Sequence, residues 1–157
     1  MLPWCNRIKD GVLRYGEETF QLKTTDDGTA RHGDVRKREW TVNKIDAYHI
    51  SMSLNSSDFP DMNWPFAFSA LAEYRLDGAE FKWTLSIKNE DKRAYPTGFG
   101  HHPYFVKPVG DNAPHVQIPC NQYFELTNYM ATGAAVDLPE RLEFRDMRPL
   151  GEANIND

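Results

Sequence analysis

Phe66-Ala67-Phe68-Ser69-Ala70-Leu71-Ala72-Glu73-Tyr74-Arg75-Leu76, then Asp77-Gly78, then Ala79-Glu80-Phe81-Lys82-Trp83-Thr84-Leu85-Ser86-Ile87-Lys88: these twenty-odd residues decide the fold. Side chains of an extended strand point alternately to its two faces. Phe66, Phe68, Ala70, Ala72, Tyr74 and Leu76 therefore share one face, and Ser69, Glu73, Arg75 and Asp77 fall on the other. Beyond the turn, Phe81, Trp83, Leu85 and Ile87 alternate with Lys82, Thr84, Ser86 and Lys88. Glycine takes a positive φ without steric cost, so Asp77-Gly78 reads as the turn. Two alternating runs around it predict a long antiparallel hairpin with one buried face, Phe68, Tyr74, Trp83 and Leu85 lying in the core. If the ring of Trp83 is fully buried, Trp83→Ala costs about 3–5 kcal/mol.

The same period continues upstream. Tyr48, Ile50, Met52 and Leu54 alternate with His49, Ser51 and Ser53, and Trp40 and Val42 read as the strand beside them. Val12–Tyr15 and Thr19–Leu22 flank Gly16-Glu17-Glu18, a second hairpin signal. Downstream, Val116–Ile118 and Tyr123–Leu126 read as short strands. A helical turn is expected only at Asp137-Leu138-Pro139-Glu140, with Asp137 as its cap and the proline inside the first turn. Short strands at close spacing with very little helix predict an all-β fold, an antiparallel sandwich or barrel.

Composition narrows the class. The 157 residues suit one domain, and no repeat or linker divides residues 1–157. With 40% hydrophobic and 13% aromatic residues the chain has the material for a core and is not disordered. Its mean hydropathy of -0.65 and short apolar runs leave no stretch of about 20 apolar residues for a membrane helix. A net charge of -5 argues against a nucleic-acid partner, which needs a basic face. Cys5 and Cys120 make no disulfide framework and read as two reduced, buried thiols. No signal peptide is recognised at the N-terminus, so the expected location is the cytoplasm.

Chemistry concentrates in two loop segments. Gly98-Phe99-Gly100-His101-His102-Pro103-Tyr104-Phe105 sets a histidine pair among glycines, a proline and aromatics. The glycines permit close backbone approach, and Pro103 keeps His102 extended. Ala30-Arg31-His32-Gly33-Asp34 holds another histidine beside a glycine. Histidine is the natural acid–base group near neutral pH. Adjacent histidines in extended chain point to opposite sides, so His101 and His102 would not chelate one metal. His49 falls on a polar strand face and His115 in a loop, and both read as solvated.

Several segments in order resemble the aldose 1-epimerase (galactose mutarotase) family. They are Leu2-Pro3-Trp4-Cys5-Asn6-Arg7-Ile8 with Asp10-Gly11, Arg31-His32-Gly33-Asp34-Val35-Arg36 with Trp40, and Trp64-Pro65-Phe66. Asn89, Pro96, Gly98, Gly100 and His102-Pro103-Tyr104-Phe105 follow, then Ala131-Thr132-Gly133, Leu142–Arg145 and Arg148–Gly151. The resemblance implies an antiparallel β-sandwich of the galactose mutarotase type, present as a single partial domain over residues 1–157. It implies interconversion of the α and β anomers of an aldohexose, such as galactose or glucose, with no cofactor and no metal. By the same resemblance, His102 is the general acid at the ring oxygen and His32 the second catalytic histidine. Arg7 binds sugar hydroxyls, and Asp157 (or Asn156) matches a sugar-binding aspartate. The family's general-base glutamate is expected beyond the last residue here, so the chain by itself should be weakly active or inactive. A non-catalytic carbohydrate-binding sandwich is the alternative.

Overall fold

The computed structural model describes residues 1–106 and 114–151. The chain forms two compact units, Met1–His102 and Pro103–Asp157. The described elements of the first unit are β1 (Arg7–Ile8), β2 (Val12–Tyr15), β3 (Glu18–Gln21), β4 (Ala30–Arg31), β5 (Thr41–Ile45), β6 (His49–Asn55), β7 (Phe68–Asp77) and β8 (Glu80–Asn89). Those of the second are β9 (His115–Val116), β10 (Gln122–Tyr123), β11 (Leu126–Thr127), β12 (Met130–Ala131), β13 (Val136–Asp137) and β14 (Arg148–Pro149). Helix among the described residues is confined to four single 3-10 turns, at Lys9–Gly11, Val35–Lys37, Ser56–Asp58 and Glu140–Leu142. The fold is all-β.

The alternating stretch forms the centre of a four-stranded antiparallel sheet in the order β5-β6-β7-β8. Asp77 pairs with Glu80, so the two-residue turn is Gly78-Ala79, with Gly78 at φ 57°. Phe66 lies just before the strand yet is buried, because aromatic rings surround it. Ala70 faces Ile87 and Leu54 across the ladders, and Phe68 starts the same apolar row. Over this row sit Leu2, Trp4, Leu22, Val35, Trp64 and Phe66. Phe66 is the hub: Tyr95 stacks on it at 4.8 Å, while Phe20, Trp64 and Tyr15 meet it edge-on at 5.4, 5.8 and 5.9 Å.

The burial expected along the hairpin holds for only half its length. Phe68 is fully buried, but Tyr74, Trp83 and Leu85 are half-buried, and Leu76 and Phe81 are exposed. The reason is where the covering aromatics lie. Trp64, Phe66 and Tyr95 cover the Phe68–Ala70 end. Towards the turn the pairs Tyr74–Trp83 and Leu76–Phe81 have mainly one another, with Trp83 and Phe81 stacked on Tyr74 at 5.4 and 6.3 Å. A lower cost for Trp83→Ala follows.

Other expectations shift by a few residues. Trp40 precedes β5, donating its indole N–H to the Val35 carbonyl at 3.1 Å. His49 is mostly covered, with 13% of its side chain exposed, because Glu73 reaches across from β7 to 3.3 Å from its Nε2. The first hairpin turns on Gly16-Glu17 alone, since Glu18 already pairs with Tyr15. In the second unit Asp137 belongs to β13, and the helical turn starts at Glu140 after an uncapping Pro139. The Val116 and Tyr123 segments shorten to two-residue strands. His115 is likewise in a strand, paired with Pro149. That unit is organised around Phe144, which is buried under the Arg148 guanidinium at 4.1 Å. Both cysteines are free, but Cys5 is exposed: Trp4 takes the inward position and its neighbour points out.

Candidate functional site

Segment Met1–Cys5 explains how two histidines seventy residues apart meet. It runs extended, with successive carbonyls directed to opposite sides. The Leu2 carbonyl accepts the Asp34 N–H at 3.0 Å, and Leu2 bridges Gly33. The Met1 carbonyl accepts the Gly100 N–H at 3.0 Å, and the Pro3 carbonyl accepts both the Gly98 N–H and the Thr97 hydroxyl at 2.9 Å. The two histidine-bearing segments thus flank one strand-like spine, and the spine is pinned to the core by Leu2 and by Trp4, whose indole N–H donates to the Ala30 carbonyl at 3.1 Å.

Gly33 is required here. At φ 68°, a side chain would be strained, and a Cβ would fall on the Leu2 carbonyl. His32 itself lies at φ 60°, in the left-handed region, with its N–H donated to the Asn6 carbonyl at 2.8 Å. A histidine in that conformation is uncommon, and such strain persists only where surrounding bonds hold it. Asp34 anchors the far side, where Arg38 reaches its Oδ2 at 2.6 Å and the Asn63 N–H donates to the same oxygen at 3.0 Å.

The result is a ring pair. His32 and His102 meet edge to face, their centroids 5.5 Å apart. His32 Nδ1 is buried without a hydrogen-bond partner in the structure. Burial, then His102, Arg36, Arg7 and Arg31, hold the His32 imidazolium below its ordinary range, so the neutral ring is favoured. Arg7 is on β1, opposite Arg31 of β4 and so close to His32 in the chain's pairing. Its side chain is largely covered; Nε lies 3.3 Å from Asp27 Oδ2 and Nη1 3.3 Å from Asn6 Oδ1.

His101 turns away from this pair. Its ring packs on Trp83 at 3.9 Å, and burial there disfavours its charged form. The structure therefore brings His32, His102 and the Arg7 side together and separates His101 from them. Asp157 and Asn156 lie outside the described residues. Asp27 is a further residue beside Arg7, and the threonines on either side of it, at 25 and 29, are its only signal in the sequence.

The class of protein can now be stated. Residues 1–156 match the family model of aldose 1-epimerase, and the chain belongs to that family, with the all-β fold of its type. The uncharacterized protein YihR of Escherichia coli (strain K12) is similar, 26% identical over 133 residues that make up 82% of this chain and 42% of that protein. The uncharacterized protein YphB of the same organism is 24% identical over 99% of this chain and 52% of its own length. Plasmid-encoded LacX of Lactococcus lactis subsp. lactis is 24% identical over 69% of this chain and 36% of its own length. The chain thus spans about half the length, or less, of the curated relatives it matches. Among the described residues no helix is long and apolar enough to cross a membrane.

Proposed function

We propose that this chain carries the acid side of an aldose 1-epimerase site, for interconverting the α and β anomers of an aldohexose such as galactose or glucose. The observation that carries the reading is the His32–His102 ring contact beside Arg7. In the forward half-reaction a base takes the O1 proton while His102 donates a proton to the ring oxygen. The C1–O5 bond breaks, O1 becomes the aldehyde oxygen, and C1–C2 rotation presents the other face. Reclosure reverses both proton transfers, so nothing is consumed. Each positioned acid or base contributes about 10²–10⁴-fold. His32, whose neutral form burial favours, can hydrogen-bond the sugar. Arg7 holds hydroxyls.

For the base we look beyond these residues, to the family's glutamate. Several carboxylates here are already engaged: Glu73 by Arg75, Glu90 by Lys88 and Ser69, Glu143 by Arg145, and Glu18 by Arg93. The test is the optical rotation of fresh α-D-glucose and α-D-galactose, followed with this chain and with a version extended through the downstream glutamate. The extended protein is expected to accelerate mutarotation and to lose orders of magnitude on His102→Asn; the short chain should do little. Full activity in the short chain would place the base among these residues. Sugar binding without acceleration in the extended protein would favour the non-catalytic carbohydrate-binding alternative.

A further inference from the structure

The two oxygens of Asp27 do different work. Oδ1 accepts the Thr25 hydroxyl at 2.8 Å, the Thr29 hydroxyl at 2.7 Å and the Thr29 N–H at 3.0 Å. These bonds brace a turn already closed by Thr25 N–H to the Thr29 carbonyl at 2.8 Å and Gly28 N–H to the Thr25 carbonyl at 2.9 Å. Oδ2 faces the opposite way, towards two guanidinium groups: Arg7 Nε at 3.3 Å and Arg31 Nη1 at 3.6 Å. Those arginines are direct cross-strand partners, a like-charge pair that destabilises a ladder unless something lies between.

We propose that Asp27 is a positioning residue for the sugar-binding arginine, its Oδ2 fixing the plane of Arg7 and holding Arg31 beside it at the edge of the His32–His102 pair. The inference rests on the role given to Arg7 above and deepens it. A carboxylate braced by three donors on one oxygen cannot swing, so its other oxygen is a fixed point for a guanidinium fork. Grasping Nε from the turn, while Asn6 Oδ1 meets Nη1, leaves the guanidinium one plane to lie in. A preset donor plane saves the ordering cost that a mobile arginine would incur on meeting a sugar. The Thr29 and Thr25 hydroxyls, then the Thr29 amide, keep the Asp27 carboxyl well below the usual carboxylate range, so the brace stays ionised wherever the fold survives.

Asp27 reaches His32 only through the two arginines it pairs with. The groups facing that ring are His102, Arg36, Arg7 and Arg31, and Asp27 offsets the last two. Asp27→Asn separates the two jobs. Its amide oxygen can keep the turn, while its NH2 presents donors to donors. Thr29→Val does the reverse, loosening the turn and leaving the carboxylate. We would measure thermal melting, the His32 ring titration by NMR, the Arg7 Nε–H resonance, and the shift perturbation caused by D-galactose and D-glucose. Asp27→Asn is expected to melt near the wild type, to move the His32 titration downward, to broaden the Arg7 signal, and to weaken sugar binding about tenfold. Thr29→Val should lower the melting temperature and broaden the Arg7 signal, because the carboxylate loses its shortest brace, while the His32 titration stays in place, because the charge remains. An Asp27→Asn protein with wild-type His32 and Arg7 signals overturns the proposal, as does a Thr29→Val protein whose Arg7 signal is as sharp as the wild type's. If the wild type shows no sugar perturbation, the reading of the site as a sugar site fails, and the His32 and Arg7 signals still decide whether Asp27 does this work.

Discussion

At the scale of single residues, the site depends on a histidine and a glycine that both hold left-handed backbone. Gly33→Ala combines that strain, about 1–3 kcal/mol, with a Cβ placed on the Leu2 carbonyl. Denaturant melts should show a loss of at least about 3 kcal/mol, and the His32–His102 contact should disappear with it. His32→Asn is the opposite case. Asparagine tolerates the left-handed region better than most residues, so stability should stay within about 1 kcal/mol while the mutarotation proposed for the extended protein slows. The His32 shift has a definite sign. Its folded-state range lies below the ordinary 6.5, so the unfolded chain binds the extra proton first. The stability it contributes is complete above about pH 7 and is lost as pH falls from 6.5 through the folded value. His101, lowered by burial against Trp83, adds in the same direction. Unfolding free energy measured from pH 7.5 to 5 should fall, and His32→Asn should flatten part of that slope.

At the scale of elements, the β7–β8 hairpin divides into a buried end and an open one. Phe68→Ala removes a fully buried ring from beneath the aromatic cluster and should cost about 3–5 kcal/mol. Trp83→Ala should cost roughly half of that, since the indole is only half-buried and much of its contact is with Tyr74 and His101. The same substitution removes the indole packed on His101, whose titration should then move up towards 6.5. Equal costs for the two variants would contradict the division described above. Thr41–Ile45 is an outer strand of the four-stranded sheet and is exposed along its whole length.

At the scale of the molecule, that exposed strand joins Val42, Ile45, Leu76 and Phe81 in leaving apolar side chains open to water on the first unit. Open strands and apolar patches promote association. The 157-residue chain should therefore sediment with a mass that rises with concentration, and Ile45→Lys with Phe81→Lys should suppress the rise. A strictly monomeric wild type at high concentration would count against this. All three residues proposed for a sugar site, Arg7, His32 and His102, lie in Met1–His102.

Much of this was written in the chain. Alternation with period two determines which residues share a face, because strand geometry is local; that suffices for the β6–β7–β8 ladder and the all-β class. The segments around Arg7, His32 and His102 were likewise legible as family motifs. Depth of burial was not, because it depends on what lies opposite: Phe68 and Trp83 occupy the same face, yet only Phe68 has Trp64 and Phe66 over it. Nor could sequence order say that His102 would meet His32 while His101 met Trp83. The Met1–Cys5 spine decides that, by hydrogen-bonding Gly33 and Asp34 on one side and Thr97, Gly98 and Gly100 on the other. Asp27 belongs wholly to tertiary structure. A turn residue acquires its second role only when folding sets Arg7 and Arg31 side by side, twenty and four residues away, because charge acts through space and not along the chain.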